Sequence, residues 1–187
     1  RVMLWTGFFV PSTILVVNRS SGARVTSLRA GDAEGGDAVE LDAYRKNRRH
    51  VILADSRTGQ GVWRFDAGGL LSGEPVLDGD KVYAARLSGQ VYQLPATRAT
   101  PAWTRTIDAG LRGRPSPGRG RVYVGDTDRT LHALDASTGE PLWSYQAAEV
   151  EDKAYQFFSG ATEVNGRVYV GAASRYVYCL DASTGRL

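Results

Sequence analysis

Short runs of apolar residues alternate with short polar or glycine-containing segments along the whole chain. Runs such as "KVYAA" at 81–85 and "RVYVG" at 121–125 hold only five residues and are rich in valine and tyrosine. β-Branched and aromatic residues favour strands, and runs of this length are shorter than typical helices. The pattern therefore predicts an all-β protein with almost no helix.

Turn-forming dipeptides stand between neighbouring runs. Asp-Gly occurs at 78–79 and Asn-Gly at 165–166, each between two predicted strands. Both dipeptides favour tight two-residue hairpins because glycine adopts positive φ without steric cost. Neighbouring strands are therefore expected to pair as antiparallel hairpins.

The strand pattern recurs about every 40 residues. "RVYVG" returns 46 residues later at 167–171, and Trp63, Trp103 and Trp143 are 40 residues apart. A period near 40 with several short strands in each unit is typical of a β-propeller. We therefore expect one domain over 1–187. Its approximate repeats are 1–36, 37–77, 78–118, 119–160 and a truncated 161–187.

An Asp-x-x-Thr-Gly turn recurs along the chain. A tryptophan follows its glycine by four residues at 55–63 and 135–143, and the motif at 181–185 is cut short before the tryptophan. The aspartate side chain can accept hydrogen bonds from backbone N–H groups two or three residues on, and glycine supplies the positive φ of the turn. One unit departs from the motif, with Pro95 for the aspartate and Ala99 for the glycine. The predicted docking-motif residues are Asp55, Thr58, Gly59, Trp63, Trp103, Asp135, Thr138, Gly139, Trp143, Asp181, Thr184 and Gly185.

These turns resemble the pyrroloquinoline-quinone-like (PQQ-like) β-propeller repeat, whose hallmark is an Ala-x-Asp-x-x-x-Gly-x-x-x-Trp docking turn. "ADSRTGQGVW" at 54–63 matches it fully, whereas "LDASTGEPLW" at 134–143 has leucine for the alanine. The resemblance implies four-stranded blades with the tryptophan docked between neighbours. Burying about 150–250 Å² of a tryptophan contributes a gross stabilisation of about 4–6 kcal/mol.

Members of this family commonly close with seven or eight blades. The chain is long enough for about four to five repeats, so we expect a partial propeller whose remaining blades lie outside it. The apolar segment from Val2 to Val17 is too short to span a membrane comfortably and contains Pro11. We interpret it as strands of an early repeat rather than an anchor, and predict no transmembrane segment in this chain.

Composition and charge narrow the chemistry. The formal net charge is +3, with acids and bases interspersed, which bears on solubility more than on a partner. The single cysteine excludes an internal disulfide and a multi-cysteine metal site. The sequence also contains no nucleophile elbow, phosphate-binding glycine loop or metal-binding histidine pair.

Comparison between repeats identifies residues that fill a shared packing position. His132 takes the position of Tyr92 and Tyr178, and Cys179 that of Gln93 and Ala133. We therefore predict structural roles for both. "GDTDRT" at 125–130 places two aspartates in a turn, and a plain turn is favoured over a calcium loop because the other calcium ligands of the loop pattern are absent.

Two non-repeating regions are candidate contact surfaces. The basic run "YRKNRRH" at 44–50 is either a solvated hairpin tip or an anion contact, and it lacks the interleaved aromatics that favour nucleic acid. Six extra residues between Trp143 and Val168 bring acids beside aromatics. Either this longer loop contacts a partner, or Phe157 and Phe158 fill the innermost strand. The possible partner-contact residues are Tyr155, Phe157, Phe158, Arg45, Lys46, Arg48 and Arg49.

The resemblance implies two classes of function. Non-catalytic members include the propeller lipoprotein of the outer-membrane β-barrel assembly machinery and sensor propellers of bacterial serine/threonine kinases, whereas quinoprotein dehydrogenases use calcium, a catalytic aspartate and often a cysteine pair. This chain has no cysteine pair and no aspartate that stands out for catalysis. We predict a non-enzymatic, protein-binding scaffold of the bacterial cell envelope without a cofactor. The alternatives are a fragment of a quinone- and calcium-dependent dehydrogenase and a kinase sensor propeller.

Overall fold

The computed structural model describes residues 2–4, 13–17, 24–29, 50–54, 61–148, 157, 160–172 and 176–187. Within these ranges all regular structure is β-strand, which confirms the predicted fold class. The strands are β1 Val2–Leu4, β2 Thr13–Val17, β3 Arg24–Arg29, β4 His50–Ala54, β5 Gly61–Asp66, β6 Val76–Asp78, β7 Lys81–Ala85, β8 Gln90–Pro95, β9 Trp103–Thr106, β10 Leu111–Pro117, β11 Arg121–Asp126, β12 Thr130–Asp135, β13 Pro141–Gln146, β14 Thr162–Val164, β15 Arg167–Gly171 and β16 Val177–Asp181.

Consecutive strands pair antiparallel in the second half of the chain. β6 to β9 form one four-stranded sheet, β10 to β13 form another, and β14 to β16 form a three-stranded sheet. The Asn165-Gly166 turn between β14 and β15 has positive φ at both residues, 50° and 74°. A two-residue hairpin turn with positive φ at both central residues is the type that this dipeptide favours. The hairpin at Asn165-Gly166 is therefore confirmed. A hairpin also joins β6 to β7, but Asp78 ends β6 and pairs with Lys81, so Gly79 and Asp80 are its central residues.

The described parts of the apolar segment from Val2 to Val17 are the strands β1 and β2, as the sequence indicates. These two strands do not pair with each other. β1 joins a sheet with β4 and β5, and Val2 lies opposite Ala54. β2 pairs with β3, and Val16 lies opposite Thr26 just before a bulge. β12 and β13 show the same pairing and bulge at Ala133 and Trp143. Thr26 thus holds, in the pairing of β2 with β3, the position that Trp143 holds in the pairing of β12 with β13.

Alternation along each strand divides the core between the two faces of every sheet. On β11, Tyr123 packs towards the following sheet, while Val122 and Val124 pack towards the preceding one. The core consists of apolar clusters between neighbouring sheets, and aromatic residues from one sheet contact valines and leucines of the next. The sheets therefore stack face to face, and the interior strands of the two four-stranded sheets, β7, β8, β11 and β12, each contribute side chains to two separate cores.

The sheets and the predicted repeats divide the same chain at different points. β10 pairs with β11, yet its residues 111–117 belong to the predicted repeat 78–118. The predicted limits at 77/78 and 118/119 fall near the end of the first strand of a sheet, whereas the limit at 160/161 falls before β14, the first strand of the last sheet. The repeat and domain limits remain predictions.

Candidate functional site

The Asp-x-x-Thr-Gly turns are built around one carboxylate oxygen. Asp135 Oδ1 accepts hydrogen bonds from the backbone N–H groups of Ser137 and Thr138, at 2.8 and 2.9 Å, and from both hydroxyls. Because these donors stabilise the charged form, the Ser137 hydroxyl foremost, the pKa of Asp135 falls to about 2. Asp181 has the equivalent bonds from residues 183 and 184, and its pKa also falls to about 2.

The glycine of each turn gives a tryptophan of the preceding sheet room to pack. Gly139 has a φ of +74°, and a Cβ added there would lie 2.6 Å from the Trp103 ring. Gly185 has the same relation to Trp143. The glycine is therefore required twice, once for the backbone conformation and once for the close approach of the indole.

Each described tryptophan also donates a hydrogen bond to the turn of the following sheet. Trp103 Nε1 lies 3.3 Å from the carbonyl oxygen of Ala136, and Trp143 Nε1 lies 2.9 Å from that of Ala182. Trp63 Nε1 donates to Ala96 at 3.2 Å, although the turn there has lost its aspartate and glycine. The alanine carbonyl after the aspartate position is thus a common acceptor that the sequence motif did not reveal. Asp55, Thr58 and Gly59 lie outside the described residues.

The candidate contact residues are distributed between the core and the parts of the chain that are not described. Phe157 is fully buried: it packs edge-on against Tyr178, and its Cβ lies close to Gly125. Phe157 therefore packs in the core and does not offer a surface contact, although it lies in no described strand. Tyr155, Phe158, Arg45, Lys46, Arg48 and Arg49 lie outside the described residues.

The position of Phe157 shows where the extra residues enter. Leu71 and Leu111 each come five residues after the end of the preceding strand; Leu71 forms a bridge with Arg86, and Leu111 is the first residue of β10, where it pairs with Asp126. Phe157 comes eleven residues after Gln146, the end of β13. Because the buried aromatic takes the place of those leucines, the six extra residues belong to the connection between Gln146 and Phe157.

Sequence comparison did not predict that His132 and Asp126 pair. His132 Nε2 donates to Asp126 Oδ2 at 2.8 Å, and the Asp126 side chain is buried. The other oxygen of Asp126 accepts from the backbone N–H groups of Asp128 and Thr130, at 2.8 and 2.7 Å. Both oxygens are thus engaged within the hairpin, which supports the turn interpretation of "GDTDRT" and leaves a poor donor set for calcium. The sequence held one sign of this pair: an aspartate, Asp126, stands at the position that Arg86 and Ala172 hold in the neighbouring repeats.

His132 and Asp126 lie between the two four-stranded sheets, where polar contacts replace the aromatic contacts of the neighbouring junctions. Phe65 packs on Tyr92 at a ring distance of 5.1 Å, and Tyr145 packs on Tyr178 at 5.8 Å. Between the two four-stranded sheets, the strand registers place Arg105 and His132 in these positions. Arg105 instead binds the Gly139 carbonyl oxygen and pairs with Glu140. A polar junction therefore interrupts the series of aromatic ones.

A second unpredicted group lies between the last two sheets. Glu163 has a buried carboxylate that accepts from the Tyr123 hydroxyl at 2.6 Å and from the Arg119 backbone N–H at 3.1 Å. Gly118 leaves room for it, since a Cβ at that glycine would overlap Glu163 Oε2. Burial, followed by the bond to Glu163, raises the pKa of Tyr123. The sequence signal was an acid at a position where Leu77 stands in an earlier repeat.

The described residues hold no group of three or more His, Cys, Asp or Glu side chains that would bind a metal ion. The buried carboxylates instead accept hydrogen bonds from their own turns or from the neighbouring sheet. Within the described part of the chain, no helix is long and apolar enough to cross a membrane. The polar groups of these residues therefore stabilise turns and the junctions between sheets.

Stacked antiparallel sheets joined by repeated tryptophan docking turns define a class of protein, the β-propeller. The chain is a partial β-propeller of PQQ-like repeats, and its sheets are the blades. A family model described as "Outer membrane protein assembly factor BamB" matches residues 47–187, and the chain belongs to this family. The resemblance inferred from the docking turns is confirmed.

Individual relatives are of two kinds. The chain is 34% identical over 111 residues to the outer membrane protein assembly factor BamB of Burkholderia pseudomallei, covering 59% of this chain and 28% of that protein. It is 27% identical over 133 residues to a polyvinylalcohol dehydrogenase of Sphingopyxis sp., covering 66% and 20%. The crystal structure of BamB from Moraxella catarrhalis matches with a TM-score of 0.65 and 23% identity, over 75% of this chain and 46% of that one. The chain thus spans less than a third of these two curated relatives and about half of the solved propeller.

Proposed function

We propose that this chain is part of a non-enzymatic propeller scaffold that binds partner proteins in the bacterial cell envelope. The observation that carries the proposal is the use of polar groups: Asp126, Asp135, Asp181 and Glu163 each accept hydrogen bonds that hold a turn or a blade junction together. The relatives named as outer membrane protein assembly factors support the same class and the same compartment.

The binding surface that we propose is the connection between Gln146 and Phe157. It is six residues longer than the two equivalent connections, and it carries Glu149, Glu151, Asp152 and Tyr155. Insertions in repeat proteins tend to fall on the binding face. The burial of Phe157 anchors the far end of this connection at the junction of the last two blades. A partner with a basic and apolar surface would suit this combination of acids and an aromatic.

A loop exchange within the chain tests this surface. Residues 147–156 are replaced by Ile-Asp-Ala-Gly, the connection that joins β9 to β10 at 107–110, so that the fold keeps a turn it already uses. Proteins crosslinked to the unaltered chain in bacterial envelope extracts are identified by mass spectrometry. We expect the exchange to abolish those crosslinks while the thermal unfolding temperature stays within a few degrees. Retention of every crosslinked partner would contradict the proposed surface.

The basic run at 45–49 is the second candidate contact surface for a partner. Replacing Arg45, Lys46, Arg48 and Arg49 with serine removes four positive charges from one short segment. If this run supplies partner contacts, binding falls with rising salt in the unaltered chain and the substituted chain loses that salt dependence. Identical binding and identical salt dependence in both chains would assign the run to a solvated hairpin.

The dehydrogenase relatives favour one alternative function, a quinone- and calcium-dependent oxidoreductase. It is tested by incubating the chain with pyrroloquinoline quinone and calcium, removing unbound quinone, and recording the absorbance spectrum and dye reduction with an alcohol. We expect no retained chromophore and no dye reduction. A stoichiometric, calcium-dependent chromophore would overturn the scaffold proposal.

A further inference from the structure

Arg86, at the start of the turn between β7 and β8, carries a half-buried guanidinium for which the described residues supply no acceptor. Its Nε is buried without a hydrogen-bond partner, and no ion pair among the described residues includes this side chain. Partial burial of a charge without a partner costs free energy, so such a group needs a physical explanation. A ligand that brings its own acceptor provides one.

The guanidinium lies against the connection that joins β5 to β6. A Cβ added at Gly69 would be 2.7 Å from the Arg86 Nε, and one added at Gly68 would be 3.7 Å from a terminal nitrogen. The acid of this connection, Asp66, accepts a hydrogen bond from the Gly68 backbone N–H at 2.8 Å, and its other oxygen is 3.5 Å from His50 Nε2. The side chain of Arg86 therefore packs on glycine backbone and leaves its charge unpaired.

Two leucines lie next to this guanidinium and also depart from the repeat. The Leu87 backbone N–H donates to the carbonyl oxygen of Leu70 at 2.8 Å, just as that of Thr127 donates to Gly110 at 2.7 Å in the next blade. Leu70 is 49% exposed, although the equivalent position needs no side chain at all. These leucines are therefore not required by the packing that the blades share, and they place an exposed apolar surface beside an unpaired charge.

We propose that Leu70, Arg86 and Leu87, together called the Arg86 site, dock a partner segment in which an aspartate or glutamate adjoins a large apolar residue. The inference rests on the proposed protein-binding function and adds a second contact to it. Charge complementarity selects the occupant, because the fork of guanidinium donors matches the two oxygens of a carboxylate. The apolar neighbour covers the exposed part of Leu70.

The buried Nε gives a direct readout by proton–nitrogen NMR. The chain is titrated with the dipeptide probe acetyl-Glu-Leu-amide while the Arg86 Nε–H signal and the backbone amides of 86–88 are recorded. Acetyl-Gln-Leu-amide lacks the charge, and acetyl-Glu-Ser-amide lacks the apolar side chain. We expect the Glu-Leu probe to shift these signals and to bind at least about tenfold more tightly than the Gln-Leu probe, because a bond between two charged groups is lost in the latter. The Glu-Ser probe is also expected to bind more weakly.

Substitutions separate a docking role from a packing role. Arg86→Met is expected to abolish the preference for the charged probe, and Arg86→Lys to weaken it, because lysine lacks the planar fork. Arg129→Gln, which removes one positive charge from the equivalent turn of the next blade, is the control and is expected to leave binding unchanged. Arg86→Met is also expected to resist urea at least as well as the unaltered chain, since it removes a charge without a partner.

Four results would overturn the proposal. They are unshifted Arg86 signals, equal affinity for the Glu-Leu and Gln-Leu probes, tighter binding of inorganic phosphate than of the Glu-Leu probe, and a clear loss of urea resistance in Arg86→Met. The last would assign the guanidinium to packing. The loop exchange at 147–156 is scored separately: crosslinked partners that persist in it contradict the connection as a binding surface but not the Arg86 site.

Discussion

At the residue scale, single side chains of the docking turns perform several tasks at once. Gly139 adopts positive φ and also admits the Trp103 ring, while Asp135 closes the same turn through one oxygen. The two demands on the glycine can be separated experimentally, because Gly120 has nearly the same φ, +73°, with no heavy atom near its added Cβ. Gly120 is thus the natural control for Gly139.

Gly139→Ala is expected to destabilise the chain more than Gly120→Ala does. A left-handed backbone costs a non-glycine residue about 1–2 kcal/mol at either position. Only at Gly139 does the new methyl group overlap the indole, and overpacking of this kind adds about 1–3 kcal/mol. Urea unfolding of both variants measures the difference. Equal losses would show that the indole moves aside without cost.

The Asp135 carboxylate makes stability depend on acid pH. Its folded pKa of about 2 lies below the ordinary aspartate value of 3.8, so the stabilisation is present above about pH 4 and is lost as the pH falls towards 2. Solvent exposure of the group keeps the effect modest. We expect Asp135→Asn to be less stable at pH 6 and to lose less stability than the unaltered chain between pH 4 and 2. Parallel urea midpoints across this range in both chains would refute the assignment.

At the element scale, the interior strands of the two four-stranded blades contribute to two cores each, and the junctions between blades differ in their contacts. Tyr83 reaches a backbone carbonyl of the next blade, whereas Tyr123 reaches the Glu163 carboxylate. Two aromatic pairs pack across other junctions, and Arg105 and His132 replace such a pair between the two complete blades. Repeated strands therefore build a series of related junctions with individual chemistry.

The Tyr123 and Glu163 side chains are expected to be energetically coupled across their junction. In a double-mutant cycle of Tyr123→Phe and Glu163→Gln, contacting partners give an interaction energy of about 0.5–3 kcal/mol. Tyr83→Phe combined with Glu163→Gln is the control, because the Tyr83 hydroxyl bonds to Ala136 instead. We expect that pair to be additive within about 0.5 kcal/mol. Additivity in the first cycle as well would mean that the 2.6 Å hydrogen bond contributes nothing to stability.

At the scale of the whole molecule, stability is distributed unevenly along the stack of blades. β12 lies between β11 and β13 and packs against blades on both sides, whereas β16 lies at the edge of its described sheet, and its Val177 is 75% exposed. Edge strands present backbone groups without strand partners, and such elements open at low free energy. The last described sheet is therefore the least protected of the three that follow residue 76.

Hydrogen exchange at low protein concentration measures this gradient. We expect backbone amides at 177–180 in β16 to exchange at least about tenfold faster than those at 131–134 in β12, because fewer bonds and less burial resist opening. Mass spectrometry of peptic fragments or NMR provides the rates. Equal protection of both strands at low concentration would show that an unseen contact covers β16.

Much of the fold could be predicted because its information is local and repeated. Strand runs, hairpin dipeptides and docking turns recur with a fixed period, and the structure confirms the all-β class, the hairpin at the Asn-Gly turn, and the turn built on Asp135. The roles of the candidate site residues were harder to predict from the sequence. Phe157 could not be assigned to core or surface from its sequence position, since only packing against Gly125 and Tyr178 buries it.

The sequence by itself determined the period, the strands and the chemistry of each turn, since those depend on residues a few positions apart. Only the tertiary structure decided which residues of different repeats meet: Glu163 contacts Tyr123, and Trp103 contacts the carbonyl of Ala136. The reason is that these contacts join residues 33 to 40 positions apart across a blade junction, where the match of two surfaces, not any local preference, selects the partner.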